Sequence, residues 1–329
     1  MSVASFRYIR ATELDDAVTA GGRRGATYLA GGTDLLPLWK AGLAAPQEVI
    51  DISRLPLADI FLDGNTLVLG ALARLSDVSA HPDVKTQHPL ICDAILGSAS
   101  GQVRNLATVG GNLLQRTRCP YFRDRGLACN KHDPGSGCGA RQGENRHAAL
   151  FGGNSGCVAT HASDLAVALA ALDAEIIVRS AVGERRLALQ DLYPLPGATT
   201  APDSSLAAGD MITAIRIGDA SRFAPRSIYL KIRDRASFEF AVVSVAAALR
   251  IEGGVIAEAR LAAGGVAPLP WRLGQSEAAL IGRAPTEQAF LAAGELAIEG
   301  ARPLEKNAFK IPLLRNAVIR ALQTVGGQS

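Results

Sequence analysis

Aromatic residues are scarce in this 329-residue chain, and no apolar run is long enough to cross a membrane. Aromatics make up 5% of the residues, which argues against a base-stacking surface for single-stranded nucleic acid. The net charge of +3 is also too small to favour a nucleic-acid partner. The longest apolar stretch, near residues 240–249, falls short of the roughly 20 residues that a transmembrane helix needs. We therefore expect no nucleic-acid partner and no membrane span.

Several familiar motifs are missing as well. Residues 1–10 lack the basic-then-apolar layout of a signal peptide, so the chain itself is expected to be cytoplasmic unless it travels with an exported partner. No G-x-G-x-x-G fingerprint of a doubly wound dinucleotide fold occurs. Neither a nucleophile–His–Asp arrangement nor a paired-carboxylate motif stands out. A hydrolytic active site is therefore not indicated.

Four of the five cysteines lie in one long segment, residues 105–164, that is poor in large aliphatic side chains. They are Cys119, Cys129, Cys138 and Cys157, with the spacing C-x9-C-x8-C-x18-C. A loop of this length and composition is not expected to hold together by burial alone. The spacing leaves open two disulfides, a zinc site and an iron–sulfur cluster. The lack of a close Cys pair weakens zinc, and the lack of a signal peptide favours metal over disulfides by about two to one.

Basic side chains surround these thiols, and positive charge lowers thiol pKa and offsets the charge of thiolate ligands. They are Arg116, Arg118, Arg123, Arg125, Lys131, Arg141 and Arg146. The fifth cysteine, Cys92, lies among apolar residues in "LICDAIL". We expect it to be a small buried hydrophobic residue rather than a ligand.

Three turns on the N-terminal side could present backbone N–H groups or a helix N-terminus to an anion. They are Ala30 to Leu35 after a short buried strand, Thr108 to Asn112 around Gly110-Gly111, and Ser163-Asp164 at the start of an apolar helix. Taken alone, each is equally well a turn or helix cap without a ligand. Together they suit a dinucleotide such as FAD, and a nucleotide site without an obvious acid or base indicates an electron carrier.

Strands followed by helices from about residue 223 indicate a separate α+β unit. The stretches "YLAGGTDLLPLWKAG", "ATVGGNLL", "SDLAVALAALDAEI" and "YLKIRDRASFEFAVVSVAAAL" resemble the FAD-binding medium subunit of the molybdenum hydroxylases, the xanthine dehydrogenase and aldehyde oxidoreductase family. The extra segment with "QRTRCPYF", "ACNK", "PGSGCGA" and "GCVATHASD" is similar to the FAD/[4Fe-4S] subunit of periplasmic aldehyde oxidoreductases. The similarity runs over essentially the whole chain.

The resemblance implies an α+β fold with a two-subdomain FAD-binding domain of the vanillyl-alcohol-oxidase type and a small C-terminal α+β domain with a three-stranded antiparallel sheet. The implied boundaries are 1–222 for the FAD-binding domain, with a [4Fe-4S] insertion at about 115–160, and 223–329 for the C-terminal domain.

The resemblance also implies the site residues. Those implied to bind FAD are Leu29, Ala30, Gly31, Gly32, Thr33, Asp34, Leu35, Thr108, Gly111, Asn112, Ser163, Asp164, Ile212 and Lys231. Ile212 and Lys231 are implied to line the flavin, and Asp164 is favoured over Ser163 for the pyrophosphate or ribose. Each of Cys119, Cys129, Cys138 and Cys157 is implied to give one thiolate to a [4Fe-4S] cluster. No catalytic side chain is implied on this chain.

By resemblance, the chain is the electron-transfer subunit of a heterotrimer. A large subunit with the molybdenum cofactor would oxidise an aldehyde with water to a carboxylate, and a small subunit with two [2Fe-2S] clusters would pass electrons to FAD and an external acceptor. The complex would be periplasmic through a twin-Arg signal on the small subunit, with a cytoplasmic location as the alternative.

Other functions remain open at this point. A β subunit of a 4-hydroxybenzoyl-CoA reductase or of another molybdenum hydroxylase would share these features. An assembly subunit with a purely structural cluster, or an iron–sulfur sensor of oxidants, would use the same cysteines.

Overall fold

The N-terminal part of the chain folds into a small parallel sheet with helices in its crossovers. The computed structural model describes residues 5–197 and 202–327. The sheet has the order β1-β3-β2, with all neighbours parallel. Its elements are β1 (Arg7–Arg10), α1 (Leu14–Gly21), β2 (Ala26–Leu29), α2 (Leu35–Lys40) and β3 (Glu48–Asp51). Because β2 runs directly into α2, the turn between them lies at the carboxyl edge of the sheet, where ligands bind in parallel sheets.

A five-stranded antiparallel sheet follows, with the order β4-β5-β8-β6-β7. Its strands are β4 (Ile60–Asp63), β5 (Thr66–Gly70), β6 (Glu175–Ser180), β7 (Gly183–Ala188) and β8 (Met211–Ile217). The helices between β5 and β6 are α3 (Leu75–Ala80), α4 (Pro82–Gln87), α5 (Pro89–Leu96), α6 (Gly101–Arg104), α7 (Val109–Leu113), α8 (Pro120–Arg123) and α9 (Asp164–Ala171). All eight residues of α9 are buried, as expected for a helix that is apolar all round.

The C-terminal part is an antiparallel sheet covered by three helices. Its strands are β9 (Ser227–Ile232), β10 (Val243–Glu252), β11 (Val255–Gly264) and β12 (Trp271–Arg272), in the order β12-β11-β10-β9. Its helices are α10 (Gly274–Leu280), α11 (Glu287–Leu296) and α12 (Lys310–Gly326). Short 3-10 helices occur at Gly139–Arg141, Leu189–Leu192 and Ser221–Arg226.

The implied three-stranded C-terminal sheet is wrong by one strand. The two-residue strand β12 adds a fourth, because Trp271 and Arg272 pair with Ala263 and Ala262 of β11. The Arg272 guanidinium holds this short strand in place through ion pairs with Glu277 and Asp173, both at 2.5 Å. The predicted α+β class, with a larger N-terminal part and a smaller C-terminal part, is confirmed.

The hydrophobic core is divided between these parts. One buried cluster fills the space between the five-stranded sheet, α5 and α9, and another lies between the C-terminal sheet and its helices. The segment between α7 and α9, which carries the four cysteines, has only two small apolar clusters of its own. Among the described residues, no helix is both long enough and apolar enough to span a membrane.

Candidate cofactor sites

The turn between β2 and α2 approaches the rest of the chain so closely that it requires glycine. A Cβ added to Gly31 would lie 1.9 Å from the carbonyl oxygen of Leu106, a backbone atom that cannot move aside. Gly32 has a φ of +70°, a left-handed conformation that glycine adopts at least cost. Leu29 ends β2, and α2 begins at Leu35. The turn thus leaves backbone N–H groups free at the edge of the sheet.

The second glycine turn lies opposite the first. Thr108 caps α7, and its Oγ1 accepts a hydrogen bond from the Gly111 N–H at 3.3 Å. We call the space between the two turns the glycine-turn cavity. The residues that line it include Ala30 to Leu35, Thr108, Gly110, Gly111, Arg116, Met211, Ile212, Arg23, Arg24 and Tyr28. The first glycine turn therefore shares one cavity with Thr108 and Gly111 of the second turn and with Ile212. Leu29, which the resemblance also implies for FAD, is not among the lining residues.

Ser163 connects the second glycine turn to α9. Its Oγ accepts a hydrogen bond from the Ala166 N–H at 2.9 Å, as an N-cap does, and donates to Oδ1 of Asn112 at 2.5 Å. The Asn112 side chain is therefore bonded across a sequence separation of 51 residues. This hydrogen bond joins the turn that lines the glycine-turn cavity to the helix N-terminus that lines a second cavity.

The Asp164 carboxylate is buried and fully engaged by protein groups. Oδ1 accepts a hydrogen bond from the Tyr229 hydroxyl at 2.6 Å, and Oδ2 pairs with the Lys231 Nζ at 2.7 Å. The same ammonium donates to the carbonyl oxygen of Gly97 at 3.1 Å. Burial raises the pKa of Asp164, and the attraction of Lys231 opposes that shift. Two of the predicted FAD residues thus form an ion pair that is fixed without a ligand.

We call the second space the Asp164 cavity, because Ser163, Asp164 and Val167 form its floor. The cysteine-rich segment supplies one wall, with Arg118, Cys119 and residues 144–148 and 158–162. The C-terminal sheet and the loop before β10 supply the other, with Phe240, Ser244, Gly264 and Gly265. The cavity therefore lies where the FAD-binding domain, the cysteine-rich segment and the C-terminal domain meet.

The Asp34 side chain binds the cysteine-rich segment instead of pointing freely into a cavity. Its Oδ2 accepts from the backbone N–H of Arg116 at 2.8 Å. Its Oδ1 pairs with Arg118 at 3.0 Å and with Arg123 at 3.1 Å. The carboxylate of a predicted FAD residue thus anchors the start of the segment, and only its backbone remains available to a nucleotide.

The four cysteines come together around one small cavity, which we call the thiol cavity. Cys119, Cys129, Cys138 and Cys157 all line it, beside Phe122, Asn130 and Lys131. All four are free thiols, so the structure gives no support to the two disulfides. Burial raises the pKa of Cys119 to about 11 and also raises that of Cys157. These thiols stay protonated at neutral pH unless a metal displaces the protons.

The four thiols form one set of candidate metal ligands. Within residues 5–197 and 202–327, no three His, Cys, Asp or Glu side chains converge closely enough to hold a single metal ion. The four thiols nevertheless share one cavity. Thiolates are the donors of both zinc sites and iron–sulfur clusters, so the chemistry of this donor set fits either group.

Two asparagine side chains hold the cysteine-rich segment together, and the sequence did not indicate either of them. The Asn130 Oδ1 accepts from the N–H groups of Gly135 and Gly137, and its Nδ2 donates to Gly156. Asn154 accepts from the N–H of Cys157 at 3.1 Å. Isolated asparagines in a polar loop give no sequence signal, because nothing distinguishes a buried amide from a solvated one. Tyr229 was missed as well, because its partner Asp164 is distant in sequence. Arg118 was named only as one of the basic residues around the thiols.

These observations define a two-domain nucleotide-binding subunit with a thiol-lined insertion. Comparisons with known proteins agree. The family model described as "FAD binding domain in molybdopterin dehydrogenase" matches residues 4–219, and "CO dehydrogenase flavoprotein C-terminal domain" matches residues 228–325. The predicted boundary at 222/223 lies between these two matches and stays a prediction.

Individual relatives carry the same description. The FAD-binding subunit PaoB of aldehyde oxidoreductase from Escherichia coli (strain K12) is 39% identical over 99% of both chains. The glyceraldehyde dehydrogenase medium chain of Sulfolobus acidocaldarius is 30% identical over 84% of this chain and 82% of its own length. The structure of carbon monoxide dehydrogenase from Hydrogenophaga pseudoflava matches with a TM-score of 0.77 at 27% identity, covering 100% of this chain and 99% of the other.

The chain belongs to the family of FAD-binding medium subunits of the molybdenum hydroxylases. The predicted family is therefore confirmed, and so is the prediction of an oxidoreductase subunit. The names of its relatives, "subunit" and "medium chain", describe parts of larger enzymes.

Proposed function

We propose that this chain is the FAD- and [4Fe-4S]-containing electron-transfer subunit of a molybdenum-dependent aldehyde oxidoreductase. The observation that carries the cluster assignment is the convergence of Cys119, Cys129, Cys138 and Cys157 on one cavity. The likeness to the aldehyde oxidoreductase subunit PaoB, at 39% identity over the whole chain, supports the substrate class. A β subunit of a 4-hydroxybenzoyl-CoA reductase, the nearest alternative, has only the shared family in its favour.

FAD would extend across the glycine-turn cavity and the Asp164 cavity, which adjoin at the hydrogen bond between Ser163 and Asn112. The two glycine turns would hold the pyrophosphate through backbone N–H groups. Tyr28 lines the glycine-turn cavity, which suits the adenosine end. Ile212, which the resemblance implies at the flavin, lines this same cavity and not the Asp164 cavity, so we propose that it contacts the adenosine end instead. Phe240 and Val167 line the Asp164 cavity beside the fixed Asp164–Lys231 pair, which suits the flavin ring.

When bound, FAD takes up electron pairs and the cluster transfers single electrons. The chain's own residues position these groups and exclude water. The buried ion pair between Asp164 and Lys231 fixes a positive charge near the flavin cavity without net charge in the core. The asparagine hydrogen bonds to the backbone N–H groups of Gly137 and Cys157 would help to position the loop that carries the thiols.

Iron, acid-labile sulfide and flavin should be measured on the complex purified without oxygen. We expect one FAD, and about four irons beyond those of the small subunit's two [2Fe-2S] clusters. Cys129→Ser should lower iron and impair assembly more than it lowers FAD, while Cys92→Ser, in the buried core of the α3–α5 region, should change neither. Zinc in place of iron, or oxidised thiols without metal, would leave only the flavin half of the proposal standing.

A purely structural cluster is the second candidate. The segment that would hold it is tied to α2 through Asp34 and to the C-terminal domain through Lys306 and Lys310, so a cluster there would also stabilise the assembly. Reduction of the complex with aldehyde separates the two roles: an electron-transfer cluster bleaches in the visible spectrum as the flavin does, and a structural one keeps its absorption.

The family likeness also supports the assembly that we propose. The chain would join a large molybdenum-cofactor subunit and a small 2×[2Fe-2S] subunit in a heterotrimer that passes electrons to an external acceptor. It would be co-exported to the periplasm with a twin-Arg-bearing partner, with the cytoplasm as the alternative. Fractionation of cells that express all three subunits, with and without the twin-Arg signal, tests both statements.

A further inference from the structure

Arg118 is a cation on the wall of the Asp164 cavity that has an unused hydrogen-bond donor. It lies next to Cys119 at the start of the cysteine-rich segment and lines the same cavity as Ser163 and Asp164. Its Nε is buried and has no hydrogen-bond partner in the structure. A buried N–H without a partner loses its bond to water and gains nothing in return. A bound ligand at this cavity would remove that deficit.

Two neighbours fix the guanidinium in this position. Its Nη2 pairs with Oδ1 of Asp34 at 3.0 Å, so it is attached to the first glycine turn. Its central carbon lies 5.0 Å from the centre of the Phe240 ring, in the loop before β10, a distance within the range of a cation–π contact. Arg118 therefore spans from the turn assigned to the pyrophosphate to the cavity assigned to the flavin ring.

The charge environment leaves Arg118 with excess positive charge. Asp34 is its only paired carboxylate among the described residues, and Arg123 shares that carboxylate at 3.1 Å. The other carboxylates that line the cavity are already paired: Asp164 with Lys231 at 2.7 Å, Glu144 with Lys306 at 3.2 Å and Glu239 with Arg235 at 3.3 Å. An oxygen-rich or anionic group in the cavity would be attracted to this net charge.

We propose that Arg118 is a flavin-binding residue: it donates a hydrogen bond to bound FAD in the Asp164 cavity and keeps a positive charge beside the flavin. The inference rests on the proposed function, because it needs FAD in this cavity. A flavin gains negative charge on reduction, so a fixed cation beside it stabilises the reduced form and raises its midpoint potential. Arg118 belongs to the cysteine-rich segment, which would thereby contribute to flavin binding as well as to the cluster.

Arg123 offers a matched control on the same segment. It forms the same kind of ion pair with Oδ1 of Asp34, but its other bonds are to the backbone oxygens of Thr117 and Arg116, and it is not among the residues that line the Asp164 cavity. Loss of Arg123 thus tests the Asp34 ion pair, and loss of Arg118 tests the ion pair together with the cavity.

The experiment compares Arg118→Met, Arg118→Lys and Arg123→Met in the full complex. The FAD dissociation constant is measured by titrating flavin-free complex, the flavin midpoint potential by spectroelectrochemistry, and the iron content as a check on the cluster. We expect Arg118→Met to raise the dissociation constant about 10- to 100-fold, as for loss of one hydrogen bond from a charged group, and to shift the potential to more negative values. Arg118→Lys should leave the flavin midpoint potential close to that of the wild type, because lysine retains the positive charge. It should weaken FAD binding in part, because lysine lacks the planar guanidinium with its several donors.

Arg123→Met should leave both flavin quantities near those of the wild type. The inference is overturned if Arg118→Met, with iron content intact, binds FAD as the wild type does at an unchanged potential, or if Arg123→Met reproduces its effects. Should Arg118→Met fail to assemble, Arg118→Lys decides the question, and unchanged FAD affinity in that variant counts against the proposed bond. A wild-type complex without FAD would overturn the proposed function itself, whereas a normal wild type with an unaltered Arg118→Met overturns only this inference.

Discussion

The glycine-turn cavity and the thiol cavity lie on the same domain but are built by different means. In the first, the backbone sets the shape, because Gly31 approaches the Leu106 carbonyl too closely for any side chain. In the second, side chains set the shape, because the loop between α8 and α9 has hardly any regular structure and Asn130 provides its hydrogen bonds. One site depends on the absence of a side chain and the other on the presence of a particular one.

This difference affects what each site needs from its ligand. The first glycine turn joins β2 to α2 and the second begins α7, so regular secondary structure positions the backbone N–H groups of both turns. The cysteine-rich segment has only two small apolar clusters and buries thiols whose pKa is raised. We therefore expect the FAD site to tolerate an empty state better than the thiol cavity does.

The largest effect is expected from a methyl group in the first glycine turn. In Gly31→Ala the new Cβ would lie 1.9 Å from the Leu106 carbonyl oxygen, so one of the two glycine turns must move. We expect a loss of about 3 kcal/mol of unfolding free energy, at the upper end for an overpacked site, and FAD content near background. Urea unfolding and flavin extraction measure the two effects.

Gly101→Ala is the matched control, because a Cβ at that position meets no heavy atom within 4 Å. It should bind FAD normally and unfold at the wild-type urea concentration. If Gly31→Ala also binds FAD normally and unfolds at the wild-type urea concentration, the close backbone approach at Gly31 does not shape the glycine-turn cavity. The proposed difference from the thiol cavity would then be wrong.

The sequence was most informative where a local pattern forces a local structure. The double glycine after β2, the Thr108 cap and the Ser163 cap all have short-range causes, and the structure brings them to adjoining cavities. The four cysteines could be found by their number, although their spacing alone left three kinds of cross-link open. The family resemblance, and not the spacing, chose among them.

Sequence reasoning was weakest where a residue's role depends on a distant partner. Asp34 was assigned to FAD from its place in the turn, yet its carboxylate binds Arg116, Arg118 and Arg123, more than 80 positions away. Asp164 likewise meets Tyr229 and Lys231 only in three dimensions. The fourth strand of the C-terminal sheet has two residues, too few for a periodic pattern, and the arginine bonds that hold it are again long-range.

A smaller effect is expected when a side-chain clamp is removed from the thiol cavity. Asn130→Ala leaves the N–H groups of Gly135 and Gly137 and the carbonyl oxygen of Gly156 without their present partner. Some of these backbone groups can form hydrogen bonds to water instead, so we expect the free energy of unfolding to fall by only about 2 kcal/mol. Iron content should fall further than FAD content, because Asn130 lines the thiol cavity.

Iron and flavin are assayed together on the purified complex, and limited proteolysis reports opening of the segment. Asn105→Ala, at an exposed position just after α6, is the control and should match the wild type in all three assays. Equal losses of iron and FAD in Asn130→Ala would mean that Asn130 does not support the thiol cavity in particular, which contradicts the proposed difference between the two cavities.

The last effect depends on pH and concerns the place where the cysteine-rich segment contacts the C-terminal domain. The Lys310 ammonium is fully buried and donates to the carbonyl oxygens of Ala148 and Gly265. Burial lowers its pKa to about 7. Between about pH 7 and its usual value near 10.5 the unfolded chain therefore binds one more proton than the folded chain, so this residue makes stability rise with pH over that window, by up to about 1.4 kcal/mol per pH unit.

Lys310→Met should abolish this contribution, because methionine does not titrate. Urea unfolding at pH 7.5 and pH 9 measures it as the difference between the two stabilities, which we expect to be larger in the wild type than in Lys310→Met. Lys306→Met serves as the control, because that ammonium is about half exposed and pairs with Glu144 at the surface. If stability increases between pH 7.5 and pH 9 by the same amount in Lys310→Met as in the wild type, Lys310 is not the titrating group. Its ammonium would then stay charged over this pH range in the folded chain.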